Sequence, residues 1–272
     1  MTQTVFLGLT PFQWVAVVVL LLTPALLLDA LAGHYRRAFS HKVQYAPFVS
    51  GTLLVVMTLA MVLRPDLRVI RTGCALTGWL CVVTGALGFV AHQYYGTYRK
   101  PGGYHQALHY ALYGAPPLAP LALSVMGLLA VMAARGLGGG TSFGGINLRA
   151  ALLGLTAVAL LGAVLQAGLL HYRGAFNNFA MYLPVTVPVL AILLLFHALL
   201  TPRPEPTALG LSLWLTLLTG FGGLGMHLRG FDRQMGGLYL PLFNVLQGPP
   251  VWAPAAFSGF AVVGLIATYL LH

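Results

Sequence analysis

Long apolar stretches alternate along this chain with short clusters of His, Tyr, Arg, Gly and Pro. Crossing the hydrocarbon core of a bilayer takes roughly 20 mostly apolar residues. Eight stretches approach that length, at about 12–33, 47–63, 72–91, 114–134, 150–170, 180–200, 208–226 and 250–271. The pattern predicts an all-α, polytopic integral membrane protein with about eight transmembrane helices. The first stretch lacks a basic flank and a small-residue cleavage site, so it reads as a retained helix and not as a signal peptide.

The polar clusters repeat. His34, Tyr35, Arg36, Ala38, Phe39, Tyr45 and Pro47 recur 137 positions later as His171, Tyr172, Arg173, Ala175, Phe176, Tyr182 and Pro184. A second block recurs at an offset of 135, where Gly85, Gly88 and His92 match Gly220, Gly223 and His227. After a one-residue slip the offset is 134, and Gly96, Arg99, Gly102, Gly103, Gly114, Pro116 and Pro120 match Gly230, Arg233, Gly236, Gly237, Gly248, Pro250 and Pro254. The apolar spans between these blocks have diverged, so the polar edge is what the duplication retained.

Two parallel four-helix membrane repeats are therefore expected, 1–135 and 148–272, joined by a Gly-rich linker, 136–147, that reads as flexible. A unit of four helices ends on the side where it began, so its copy enters the membrane in the same direction, about a pseudo-two-fold axis along the normal. Small residues let helix backbones approach closely, and the glycines at 85, 88, 220 and 223 place the third and seventh helices near that axis.

Composition changes the picture in two ways. With 58% apolar and 7% charged residues and a mean hydropathy of +0.86, the chain has too little polar surface for a soluble domain. The net charge of +10 comes from a scarcity of acids, namely Asp29, Asp66, Glu205 and Asp232. That balance points to anionic headgroups or an anionic ligand, with no nucleic acid implied. Lys and Arg divide eight to six between the two faces, too evenly for the positive-inside rule to orient the chain. Cys74 and Cys81 stand about 10 Å apart along one helix and cannot bridge.

The first, third, fifth and seventh spans end on one face, each in a histidine: His34, His92, His171 and His227. Eleven of the 12 tyrosines and seven of the 9 histidines fall on that face or its loops. Aromatic and basic residues commonly anchor a helix at headgroup depth, but anchoring predicts a belt at each interface, so the one-sidedness favours a binding site. Tyr104–Tyr113 and Leu238–Gln247 suit short interfacial helices, after sharp bends at the paired glycines before them. Pro116 with Pro117, and Pro249 with Pro250, are expected to open the last helix of each copy.

The candidate ligand-holding residues are His34, Arg36, Tyr45, His92 and Arg99 in the first copy, with His171, Arg173, Tyr182, His227, Arg229 and Arg233 in the second. Their chemistry is imidazole, guanidinium and phenol, almost without carboxylate or thiol. Carboxylate-bridged di-iron, thiolate zinc and iron–sulfur sites need acids or cysteines this face lacks, and no G-x-S-x-G nucleophile occurs. Haem b on histidine, copper on histidine, or a quinone headgroup remain. His105 and His109, four apart, have the spacing of a metal pair, and their counterparts Tyr239 and Phe243 do not. Asp29 corresponds to Gln166 and reads either as a functional carboxylate or as an ion-pair partner of Arg36 or Arg37.

These observations lead to an expected membrane subunit of an electron-transfer or dehydrogenase system, binding quinone or haem at the His/Arg/Tyr face and anchoring a soluble redox partner there. The same observations favour a non-catalytic membrane subunit over an independent enzyme without deciding between them, and a cell membrane, of the bacterial inner-membrane kind, is the expected setting. A transporter of a small anionic solute would carry polar groups near the midplane, where this chain is apolar. An enzyme acting on a lipid headgroup would draw on Arg as phosphate clamp and His as acid or base.

Overall fold

The computed structural model describes residues 6–201, 206–233, 236–248 and 250–271. Glu205 and Pro249, both named above, lie outside the described residues. The described residues are all-α apart from one hairpin and an isolated bridge between Phe6 and Leu9. Helix α1 (Pro11–Tyr35) starts at Thr10, whose hydroxyl accepts from the Gln13 amide while the Gln13 side chain returns to the Thr10 amide, a reciprocal cap for two orphan donors. It runs unbroken through Pro24. Then follow α2 (Ala46–Leu63), α3 (Arg68–Gln93), α4 (Ala107–Tyr113), α5 (Ala119–Leu137), α6 (Leu148–Arg173), α7 (Leu183–Leu200), α8 (Pro206–Asp232), α9 (Pro241–Gln247) and α10 (Ala255–Tyr269).

Among the described residues seven helices are long and apolar enough to cross a membrane, namely α1, α2, α3, α5, α6, α7 and α8 with their flanking turns. The chain is a multi-pass membrane protein. Its outward leucines, such as Leu76 at 66%, Leu193 at 62% and Leu218 at 61% exposure, would be unsatisfied in water and suit lipid. The eighth expected span, 250–271, forms a helix of only 15 residues, about 22 Å long, against a core of about 30 Å.

Helices α5 and α10 are the most enclosed. Met126, Leu129, Ala130 and Ala133 of α5 and Phe257, Phe260, Ala261 and Val263 of α10 are all buried. Contrary to expectation, the third and seventh spans (α3 and α8) do not meet at a central axis. Gly85 and Gly88 of α3 lie against Pro120 and Ser124 of α5, and Gly220 and Gly223 of α8 lie against Pro254 and Ser258 of α10. The small residues were spaced for a partner within their own half. Where the halves meet, α1 packs on α10, with Leu22 beside Gly259, and α5 meets α6.

Within the Gly-rich stretch 136–147, residues 142–147 close as a hairpin in which β1 (Ser142–Phe143) pairs antiparallel with β2 (Ile146–Asn147). Gly144 and Gly145, at φ 59° and 82°, supply the two left-handed residues that a type I′ turn demands. The buried cysteines remain free and join α3 to α2, where Cys81 Sγ donates to the Ser50 carbonyl at 3.3 Å and Cys74 Sγ meets Thr58 Oγ1 at 3.6 Å.

Candidate functional site

The helix-end histidines come together in two pairs. His34 at the end of α1 meets His92 at the end of α3, with ring centroids 6.4 Å apart. His171 of α6 meets His227 of α8 at 6.5 Å. All four rings are half-buried.

One member of each pair is anchored in the same way. His92 Nδ1 lies 3.0 Å from the Pro116 carbonyl and His227 Nδ1 lies 2.7 Å from the Pro250 carbonyl. A carbonyl oxygen only accepts, so each Nδ1 carries the proton and Nε2 is the basic nitrogen of the neutral ring. The prolines are thus displaced from their expected role. α5 begins at Ala119 and α10 at Ala255, because a residue before proline is biased out of the helical region, and the non-helical stretch presents its carbonyl to the histidine.

The other histidine of each pair sits under a strained turn. Ala38 and Phe39 have φ of 53° and 46°, and Ala175 and Phe176 have 55° and 47°, conformations that cost L-residues about 1–2 kcal/mol each. The turn brings the Phe39 ring to 5.9 Å from His34 and stacks it 4.7 Å from Tyr45. Phe176 does the same, 6.0 Å from His171 and 4.6 Å from Tyr182. Phe48 adds an edge-to-face contact with His34 at 6.2 Å. In the second half His171 Nδ1 also donates to the Met181 carbonyl at 2.8 Å.

No protein family, curated protein or solved structure matches this chain.

Of the sequence candidates, His34, Tyr45, His92, His171, Tyr182 and His227 converge on the two clusters. Arg36 turns back on its own helix and donates from Nε to the Ala32 carbonyl at 3.1 Å, while Arg99, Arg173, Arg229 and Arg233 are exposed around the rim. His105 falls in the 3-10 turn Gly103–Gln106 and His109 in α4, edge-to-face with Tyr110 and tilted against Tyr113. Among the described residues no group of three or more His, Cys, Asp and Glu could hold a metal ion.

Asp29 forms no ion pair among the described residues; its Oδ1 accepts from the Trp252 amide at 3.4 Å. Sequence reasoning passed over Arg37, which stands within electrostatic reach of both His34 and His92. It also missed Phe48 and the two proline carbonyls. The repeated Gly-x-Pro at 114–116 and 248–250 was the available signal for the latter.

Proposed function

We propose that this chain is the membrane subunit of an electron-transfer or dehydrogenase system and that its paired histidines receive the headgroup of a quinone. The observation that carries this reading is the anchoring of His92 and His227 through Nδ1 on backbone carbonyls, which leaves the basic Nε2 of each to a ligand. A quinol hydroxyl would donate to that nitrogen, and a neutral imidazole is suited to take the proton as electrons leave. Phe39 with Tyr45, and Phe176 with Tyr182, supply flat apolar walls beside the rings.

In this reading α10 joins the seven longer helices, and two parallel four-helix repeats sit in a cell membrane. The exposed Arg99, Arg173, Arg229 and Arg233 meet a soluble redox partner on the same face. Haem b is the second reading, favoured by the same anchored imidazoles, since a backbone-held Nδ1 orients iron-ligating histidines. It requires each ring pair, now in mutual contact, to part around a macrocycle.

The test is quinone extraction and an oxidised-minus-reduced absorption spectrum on the detergent-purified full chain. Stoichiometric quinone that falls in His92→Ala and His227→Ala supports the first reading. A Soret band that sharpens on reduction transfers the site to haem, and the lack of both signals sinks both readings.

A further inference from the structure

The one-residue slip between the repeats has a physical location. Three residues separate His92 from Gly96, whereas two separate His227 from Gly230. At this point the chain leaves α-geometry, and Tyr94–Tyr98 forms a π-turn in which the Arg99 amide donates to the Tyr94 carbonyl five residues back at 2.9 Å. The matching helix α8 stays regular from Pro206 to Asp232. A widened turn is how a helix accommodates one extra residue, and such turns concentrate at functional sites.

The insertion shapes a cleft. Gly96 and Lys100, on the turn and just beyond it, form one wall of a cavity of about 220 Å³, with Arg37, His109, Tyr110 and Tyr113 on the others. Neither the Arg37 nor the Lys100 side chain has a hydrogen-bond or ion-pair partner among the described residues. The ion pair found there joins Arg64 to Asp66, both strongly exposed, between α2 and α3 at the far helix ends. The volume is below the 300–1,000 Å³ of sites for drug-sized molecules and suits a group of a few heavy atoms. Both cations are exposed and no carboxylate lines the cleft, which leaves them open to an anion with several acceptor oxygens.

The second half lacks this equipment. In sequence, Arg37 corresponds to Gly174, Lys100 to Gln234 and His109 to Phe243. Tyr110 corresponds to Asn244, and here the halves agree, since each holds its own loop: Tyr110 donates its hydroxyl to the Pro101 carbonyl at 2.6 Å and Asn244 donates to the Gly237 carbonyl at 2.7 Å.

We propose that the cleft of the first half is a binding site for a phosphoryl-type anion, carried by a lipid headgroup or free in solution, with Arg37 and Lys100 as its clamps. It is independent of the quinone reading, whose histidine substitutions leave both clamps in place. The full chain in neutral detergent is titrated with phosphatidylglycerol, with phosphatidylcholine as the zwitterionic control, and separately with inorganic phosphate, following the rise in Tm with concentration.

A saturable rise is expected, weakened roughly tenfold by Arg37→Gly or Lys100→Gln, the residues the second half carries. Arg37→Lys, which keeps the charge, and Arg173→Gly, on the other half, should bind near the wild-type level. A response to phosphatidylglycerol alone assigns the site to a lipid headgroup, and a response to inorganic phosphate assigns it to the free anion. Binding that is unchanged in the Arg37→Gly and Lys100→Gln variants, or no saturable binding at all, overturns the proposal.

Discussion

Asp29 and Trp252, 223 positions apart in sequence, are joined by a hydrogen bond from the Trp252 amide to Asp29 Oδ1 at 3.4 Å. The bond has a counterpart. Gln166, the sequence equivalent of Asp29, accepts at Oε1 from the amide of Leu118, the equivalent of Trp252, at 3.2 Å. Each half therefore caps the last helix of the other, satisfying an amide near a helix start that has no intrahelical partner. This explains the Asp and Gln pair without a catalytic carboxylate, since both side chains supply the same thing, an acceptor oxygen.

Asp29→Leu and Gln166→Leu should each lower stability by about 1 kcal/mol, read as a fall in Tm of roughly 2–4 °C in detergent. Asp29→Asn should be close to neutral, because the acceptor survives. If Asp29→Asn proved as damaging as Asp29→Leu, the charge and not the acceptor would be what matters.

For the paired rings, quinone occupancy should respond to both halves. His34→Ala, His92→Ala, His171→Ala and His227→Ala should each reduce the quinone co-purified with the chain, with His34→Ala the mildest, because the other three rings are held through Nδ1 on backbone carbonyls. Retained occupancy in all four variants would return these residues to the role of interfacial anchors.

The turn under His34 is strained, and relief of strain is measurable. Ala38→Gly should raise stability by about 0.5–1 kcal/mol, because glycine takes positive φ without a steric penalty. Ala38→Val should lower it by at least as much. The same contrast is expected at Ala175, monitored by thermal unfolding with quinone content measured in parallel.

Close packing inside each half gives a further contrast. A Cβ at Gly85 would lie 2.6 Å from the Pro120 carbonyl oxygen, and one at Gly220 would lie 2.9 Å from that of Pro254. Gly85→Val and Gly220→Val should therefore cost about 1–3 kcal/mol through forced separation of the helices. Gly222→Ala, which meets nothing within 4 Å, should be neutral or slightly stabilising. Equal tolerance at all three positions would show that α3 and α8 are free to move off their partners.

Much of the fold was legible because lipid imposes a coarse rule: runs of apolar residues become helices, and the breaks between them become turns. The positions of the helix-end histidines followed from counting crossings. What periodicity could not tell was which helix a small residue faces. Gly85 and Gly220 announce a close approach, and only packing shows that Ser124 and Ser258 are what approach. Serine hydroxyls there donate to the Val82 and Leu217 carbonyls, a local fit invisible to hydropathy.

The sequence by itself determined that this is a multi-pass membrane protein with a duplicated polar edge, because both conclusions depend only on the order of residue types along the chain. It also recorded the one-residue slip. Only the tertiary structure decided that the four histidines form two pairs, that proline carbonyls fix two of the rings, that Asp29 and Gln166 cap each other's halves, and that the extra residue became a π-turn beside a cationic cleft. Each of these unites groups from different helices, and such contacts are set by side-chain shape and hydrogen-bond direction in three dimensions.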